Sequence, residues 1–219
     1  MSSSAIQLLV LAGVAIFLIL KLRGVLGTRE GFEKPAIRAD DTVTQRRAGL
    51  EVIEGGPDRD ITDHVAEGSP EAEALAAMKE AEPGFNVGEF LQGARGAYEM
   101  ILMGFERGDM DSLRPFLSDD VFDSFVDVVA AREDKGLTID AEFIGVREVA
   151  VIDANFDQNS REGEVKVRFA GELTSVVRDS GGDIVEGKPH EIKRQKDIWT
   201  FARKMGTNDP NWLLVATGE

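Results

Sequence analysis

At Leu137 the spacing of apolar side chains changes from a helical period to a period of two, and this switch constrains the fold more than any other feature of the chain. Upstream, Val87, Phe90, Leu91, Ala94, Ala97, Tyr98, Ile101, Leu102 and Phe105 keep to one helical stripe. Asn86 suits an N-cap, Glu89 completes a capping-box-like pair, and Gly108 is the stop. Gly93 and Gly96 within this helix would let another backbone approach closely. Leu113, Phe116 and Leu117 mark one or two further turns. Ser118 then caps a third helix, with Asp119 and Asp120 in its first turn and Val121, Phe122, Phe125, Val126, Val128 and Val129 as its apolar positions.

Downstream, Leu137, Ile139, Ala141 and Phe143 alternate with polar residues until the phase slips at Phe143-Ile144-Gly145, the signature of a bulge. Asp157 to Gly163 is a turn, and Val165, Val167, Phe169, Leu173 and Val177 hold one phase of a long second strand. Ser180-Gly181-Gly182 turns the chain into a third strand from about Glu191 to Arg203. Trp212 to Ala216, a continuous apolar run, reads as a strand covered on both faces. Helices followed by strands give an α+β class, three helices packed on a curved antiparallel sheet. Such a cone can enclose a pocket, whose wall would draw on Phe90, Tyr98, Phe125, Phe169, Trp199 and Trp212; the same side chains would equally fill it as core.

Ahead of this domain, Ala5 to Leu20 carries no charge, and Ala5, Leu8, Leu9, Leu11, Val14, Ile16, Phe17, Leu18 and Leu20 make it an anchor candidate. As a helix it spans roughly 24 Å, near the lower limit for a ~30 Å hydrocarbon core. Lys21 and Arg23 follow it and could snorkel to the interface. Met1 to Ser4 has no side-chain charge and no good cleavage site follows, which argues against a secretory signal. The basic residues on its C-terminal side place the main body on the cytoplasmic side of a single-pass anchor.

Residues 1–27 therefore read as anchor, 28–84 as a flexible acidic linker and 85–219 as the folded domain. Gly55-Gly56-Pro57 and the lack of hydrophobic periodicity support the linker. Within it Ser69 and Pro70 open a short helix near 70–82, whose apolar face is thin: Leu75 and Met78 among alanines. That makes it a marginal linker helix.

The formal charge of −15 divides as +2, −7 and −10 over these three segments. So acidic a domain is a poor nucleic-acid binder, and the membrane contact rests on the apolar run. The chain has no cysteine, which excludes disulfides and thiolate metal sites. Asp109, Asp111, Asp119, Asp120 and Asp123 lack the alternation of a calcium loop and read as caps, so no metal site is assigned. His64 and His190 fall in a linker and a charged loop, and Gly93-Ala94-Arg95-Gly96 has no preceding strand, so it is not a dinucleotide fingerprint. No catalytic residue and no cofactor is assigned.

Asn86-Val87-Gly88-Glu89-Phe90-Leu91 with Gly93-Ala94-Arg95-Gly96-Ala97-Tyr98, Asp197-Ile198-Trp199-Thr200-Phe201 and Asp209-Pro210-Asn211-Trp212-Leu213-Leu214-Val215-Ala216-Thr217 resemble the Tim44-like domain family over about Phe85 to Gly218. The resemblance implies a fold like that of nuclear transport factor two. It also implies a non-enzymatic adaptor or scaffold at an inner membrane, linked to protein translocation, with a chaperone or translocon subunits as partners. The layout of anchor, acidic linker and domain is similar to membrane-anchored bacterial relatives, which implies the bacterial inner membrane. Two alternatives accompany this reading: a module that binds a lipid or another hydrophobic ligand, and an isomerase-like enzyme of the cone fold, which a buried Asp or Glu beside Tyr98 would favour.

Overall fold

The computed structural model describes residues 56–218. The apolar run from Ala5 to Leu20 and the linker as far as residue 55 lie outside the described residues. Among the described residues no helix is long and apolar enough to cross a membrane.

The helices are α1 (Arg59–Thr62), α2 (Pro70–Ala81), α3 (Val87–Arg107), α4 (Met110–Leu113), a 3-10 turn (Arg114–Phe116) and α5 (Asp119–Glu133). Each of the three long ones begins where a side-chain oxygen takes up an orphan amide. Ser69 accepts from the Ala72 amide at 3.2 Å, Asn86 from Glu89 at 2.8 Å and Ser118 from Val121 at 3.4 Å. Gly108 closes α3 at φ 73, a conformation that costs a residue with a Cβ more than glycine.

Five strands follow: β1 (Thr138–Asp157), β2 (Glu162–Arg178), β3 (Ile184–Glu186), β4 (Ile192–Lys204) and β5 (Leu213–Gly218). They form one antiparallel sheet in the order β1-β2-β4-β5. Residues 162–174 of β2 pair with β4, and β3 takes the same side at Val177 and Arg178, where β4 has not begun. β1 shifts register three times, between Phe143 and Gly145, Val146 and Glu148, and Val151 and Asp153. The first shift falls at the expected slip of phase; each bulge bends a strand too long to stay flat.

Two expectations about the ends of the chain differ from the structure. β5 is an edge strand and not one covered on both faces: Leu214 is fully buried, but Leu213 is 38% exposed. On its far side the Leu214 carbonyl accepts only from the Ser118 amide, at 3.0 Å. α2 is not a marginal helix, because Leu75 and Met78 are both fully buried in the main core with Tyr98, Ile101, Val165, Val167 and Phe169. Its alanines let it lie close, and Gly163 of β2 leaves the space that the Met78 thioether fills.

α1, not anticipated, ties the three N-terminal helices together. Asp60 accepts from the Val87 amide at 2.8 Å and the Gly88 amide at 3.0 Å, capping α3 from another helix. Its Oδ2 also takes the Lys79 ammonium of α2 at 2.8 Å. Ile61 of α1 is buried in the same core.

Candidate binding site

The six aromatic residues expected around one pocket are distributed over three places. Tyr98, Phe169 and Trp199 are packed together as core: Tyr98 stacks on Phe169 at 4.4 Å and 9°, and Trp199 lies 4.8 Å from Tyr98. Phe125 sits on α5 against Phe105 of α3, ring centroids 4.5 Å apart. Only Phe90 and Trp212, 4.7 Å apart, face a cavity.

That cavity has a volume of about 470 Å³ and lies beside the first half of α3. Phe85, Phe90, Phe116, Phe201 and Trp212 supply its apolar wall. Its floor is low because Gly93, Ala94 and Ala97 follow one another along the α3 stripe. Among the described residues no backbone lies against Gly93 or Gly96; a Cβ at either would meet nothing within 4 Å.

A buried cation forms one wall. The Arg203 side chain is only 8% exposed and pairs with Glu82, which lies just past α2. Arg203 also donates from Nη1 to the Pro210 carbonyl at 3.1 Å, and its guanidinium lies 5.2 Å from the Trp212 ring. The second Glu82 oxygen accepts from the Gly206 amide at 2.8 Å. Glu82 and Arg203 thus clamp the loop between β4 and β5 to the end of α2, and that loop carries Trp212. Neither the 121-residue separation of the pair nor the burial of the arginine has a signal in the local sequence pattern.

Behind the aromatic core, the Tyr98 hydroxyl donates to Asp197 Oδ2 at 2.5 Å, and Gln195 Nε2 donates to both, at 3.1 Å and 2.8 Å. Burial and then the hydrogen bond to Asp197 push the phenol well above its ordinary range, so it keeps its proton. A carboxylate does stand beside Tyr98, but neither residue lines the 470 Å³ cavity. The hydroxyl of the fully buried Tyr98 is committed to the half-buried Asp197.

The aspartates read as caps act locally: Asp109 accepts from the Ser112 amide at 3.3 Å, and Asp119 pairs with Arg114 at 2.6 Å. Among the described residues no group of three or more His, Asp or Glu is placed to hold a metal ion. His64 and His190 are both exposed.

The fold is thus an α+β domain of helices laid on one antiparallel sheet, with an aromatic cavity between α3 and the β4–β5 loop. The Tim44-like domain model matches residues 71–219, and the chain belongs to that family. The human mitochondrial import inner membrane translocase subunit TIM44 is 22% identical over 148 residues, 66% of this chain and 32% of that protein. The chain therefore covers about a third of that relative's length. Among solved structures, the intermembrane space region of chloroplast protein ARC6 aligns with a TM-score of 0.33 and 11% identity over 50% of this chain and 75% of that one, a likeness too slight to bear on fold or function.

Proposed function

We propose that this protein is a non-catalytic adaptor that holds a protein partner at an inner membrane as part of protein translocation. One observation carries the reading: the family match runs from α2 to the end of the sheet, so it takes in the sheet and every helix of the packed domain except α1. The human relative's name places that protein in an import translocase. The apolar run from Ala5 to Leu20 supplies the membrane anchor in this reading, with the domain on the cytoplasmic side of a bacterial inner membrane. Tyr98 is buried among core aromatics, and neither it nor Asp197 lines the cavity, which favours a binding role over an isomerase-like one.

The test is proximity labelling in cells from a tag after Glu219, compared with a chain lacking residues 1–26. Anchor-dependent enrichment of translocon or chaperone subunits is the expected result. No reproducible enrichment from either chain would overturn the reading.

The 470 Å³ cavity supports a second reading, a site for a lipid tail or another apolar ligand, because Phe85, Phe90 and Trp212 face it. Native mass spectrometry of the purified chain would show a co-purified mass, and Phe90→Asp would remove it. A mass that survives the substitution would exclude the cavity as its site.

A further inference from the structure

The outer face of the sheet, turned away from the helices, is laid out in cross-strand ion pairs. Two are one to one: Lys166 of β2 meets Asp153 of β1 at 3.0 Å, and Arg168 meets Glu148 at 2.7 Å. Around Glu172 the count is unbalanced. Arg147 of β1 donates through Nε to Glu172 Oε2 at 2.8 Å, and Arg194 of β4 donates through Nε to Oε1 at 2.8 Å. The Glu172 side chain is 5% exposed beneath two guanidiniums that are 72% and 80% exposed. Their hydrogen bonds hold its carboxyl below the usual range, so the group is charged and both arginines are fixed at their inner edge. Among the described residues the Nη groups of both arginines, and the Lys196 ammonium, have no acceptor. The three cations and the one carboxylate line a depression of about 400 Å³. This local excess of positive charge sits in a domain whose formal charge is −10.

An apolar side chain flanks the cations on β4, and a second is exposed at the nearby β1 bulge. Ile192, two residues before Arg194 and on the same face, is 55% exposed, and Ile144 at the first β1 bulge is 48% exposed. Ile192, Arg194 and Lys196 therefore lie along β4 at alternate positions, about 6.6 Å apart. That is also the spacing of same-side residues in an extended peptide.

We propose that this face docks an extended segment of a protein partner that carries an apolar side chain followed by acidic side chains at alternate positions. The carboxylates would take the Nη forks of Arg194 and Arg147 and the Lys196 ammonium, and the apolar residue would cover Ile192. A bare inorganic anion would use the cations but leave the exposed Ile192 beside them uncovered. This inference rests on the adaptor reading and names the partner chemistry and the surface.

The test uses the full chain in neutral-detergent micelles and a fluorescein-labelled peptide, Gly-Ile-Thr-Glu-Ser-Glu-Thr-amide, read by fluorescence anisotropy. Binding should weaken with salt and disappear when both peptide glutamates are replaced by glutamine. Lys196→Glu should weaken it by about tenfold or more. Removing both arginines alone would strand the covered Glu172 charge, so the second variant is Arg147→Gln/Glu172→Gln/Arg194→Gln, which leaves neutral amides that can still bond one another. It should bind the peptide as weakly as Lys196→Glu, with an unchanged unfolding midpoint as the check on folding. The proposal is overturned if the wild-type chain does not bind the peptide, or if both variants keep its affinity within about twofold. It is also overturned if inorganic phosphate or phosphatidylglycerol in the micelles displaces the peptide at its own concentration. A labelled partner that persists in the triple variant would remove this surface and leave the adaptor reading standing. Peptide binding without any labelled partner in cells would do the reverse.

Discussion

The Tyr98 hydroxyl donates its hydrogen bond to the Asp197 carboxylate at 2.5 Å from the helix side of the sheet. Tyr98 is the chain's only tyrosine, so its ionisation can be read without interference. Burial first, and then the hydrogen bond to Asp197 and its charge, raise its pKa far above the usual value near 10. A raised folded pKa means that the native state holds the proton more tightly than the unfolded chain. Its contribution is complete below about pH 10 and is lost as pH rises beyond that. Ultraviolet tyrosinate absorbance should therefore appear only together with unfolding, and not as a separate earlier transition. Tyr98→Phe should cost about 2 kcal/mol at neutral pH, since a hydrogen bond to a charged group is lost, and should flatten the alkaline limb. A tyrosinate signal from the native protein near pH 10 would contradict this account.

Gly171 lies under the same ring. A Cβ there would stand 2.7 Å from the Tyr98 hydroxyl oxygen and 3.0 Å from a ring carbon. The ring cannot give way, because Phe169 stacks on it and Trp199 closes another side. Gly171→Ala should destabilise by about 3 kcal/mol, the upper part of the overpacking range, as measured by urea unfolding. Gly163→Ala is the control. Its Cβ would meet the Met78 thioether at 3.0 Å, a flexible side chain that can move, so the cost should be clearly smaller.

The α2 helix separates two pictures of the domain's start. A linker helix would tolerate Leu75→Ala at the surface-substitution level of about 0.5 kcal/mol. With Leu75 fully buried, the same change should cost about 2–5 kcal/mol. A chain starting at Pro83, which deletes Leu75, Met78 and Ile61 together, should not unfold cooperatively in a thermal scan.

These cases show which parts of the structure the sequence could carry. The Ser69, Asn86 and Ser118 caps, the Gly108 stop and the bulge at Phe143-Gly145 are local, decided by a few neighbouring residues, and were legible. The burial of α2 was not, because a face of two large side chains among alanines is thin in sequence yet packs closely. Whether a strand is central or an edge is also non-local, and so Leu213-Leu214-Val215 read as doubly covered. Only three residues long, β3 gave no alternation to detect. Of the three aromatic residues that fill the core, Phe169 and Trp199 were fixed by the β2–β4 register, which pairs Val167 with Trp199 and Phe169 with Asp197. Periodicity assigned each side chain to the interior and could not say which neighbour it would meet.

Asp60 makes a prediction at low pH. Burial raises its carboxyl, but the Lys79 hydrogen bond and the Val87 and Gly88 amides outweigh this and leave it below the usual range. A lowered folded pKa gives stability that is present above about pH 4 and lost as pH falls through the folded value. Asp60→Asn removes the charge but leaves one acceptor, and should cost about 1 kcal/mol at pH 7, the scale of a lost cap. Its acid limb should be shallower than the wild type's, so the two stabilities converge as pH falls. Parallel acid limbs would mean that Asp60 does not titrate in the unfolding transition.

Glu82 and Arg203 test the clamp beside the cavity. Glu82→Gln leaves a guanidinium with an 8% exposed side chain, held by the Pro210 carbonyl and the Trp212 ring but without its counter-charge. Breaking a fully buried pair costs about 3–5 kcal/mol; Glu82 is 24% exposed, so about 2 kcal/mol is expected here. The β4–β5 loop should loosen with it, because the Gly206 amide loses its charged acceptor in the same substitution. Trp212 then supplies the local readout: its fluorescence should shift to the red in Glu82→Gln, while Trp199, 5% exposed in the core, should not change. Replacing both partners, as in Glu82→Gln/Arg203→Met, should recover part of the stability, since no unpaired charge remains buried. It should not return Trp212 to its wild-type emission, because the tie from the guanidinium to the Pro210 carbonyl is also gone. Stability that falls further in the double variant would show that the arginine holds the loop without its carboxylate.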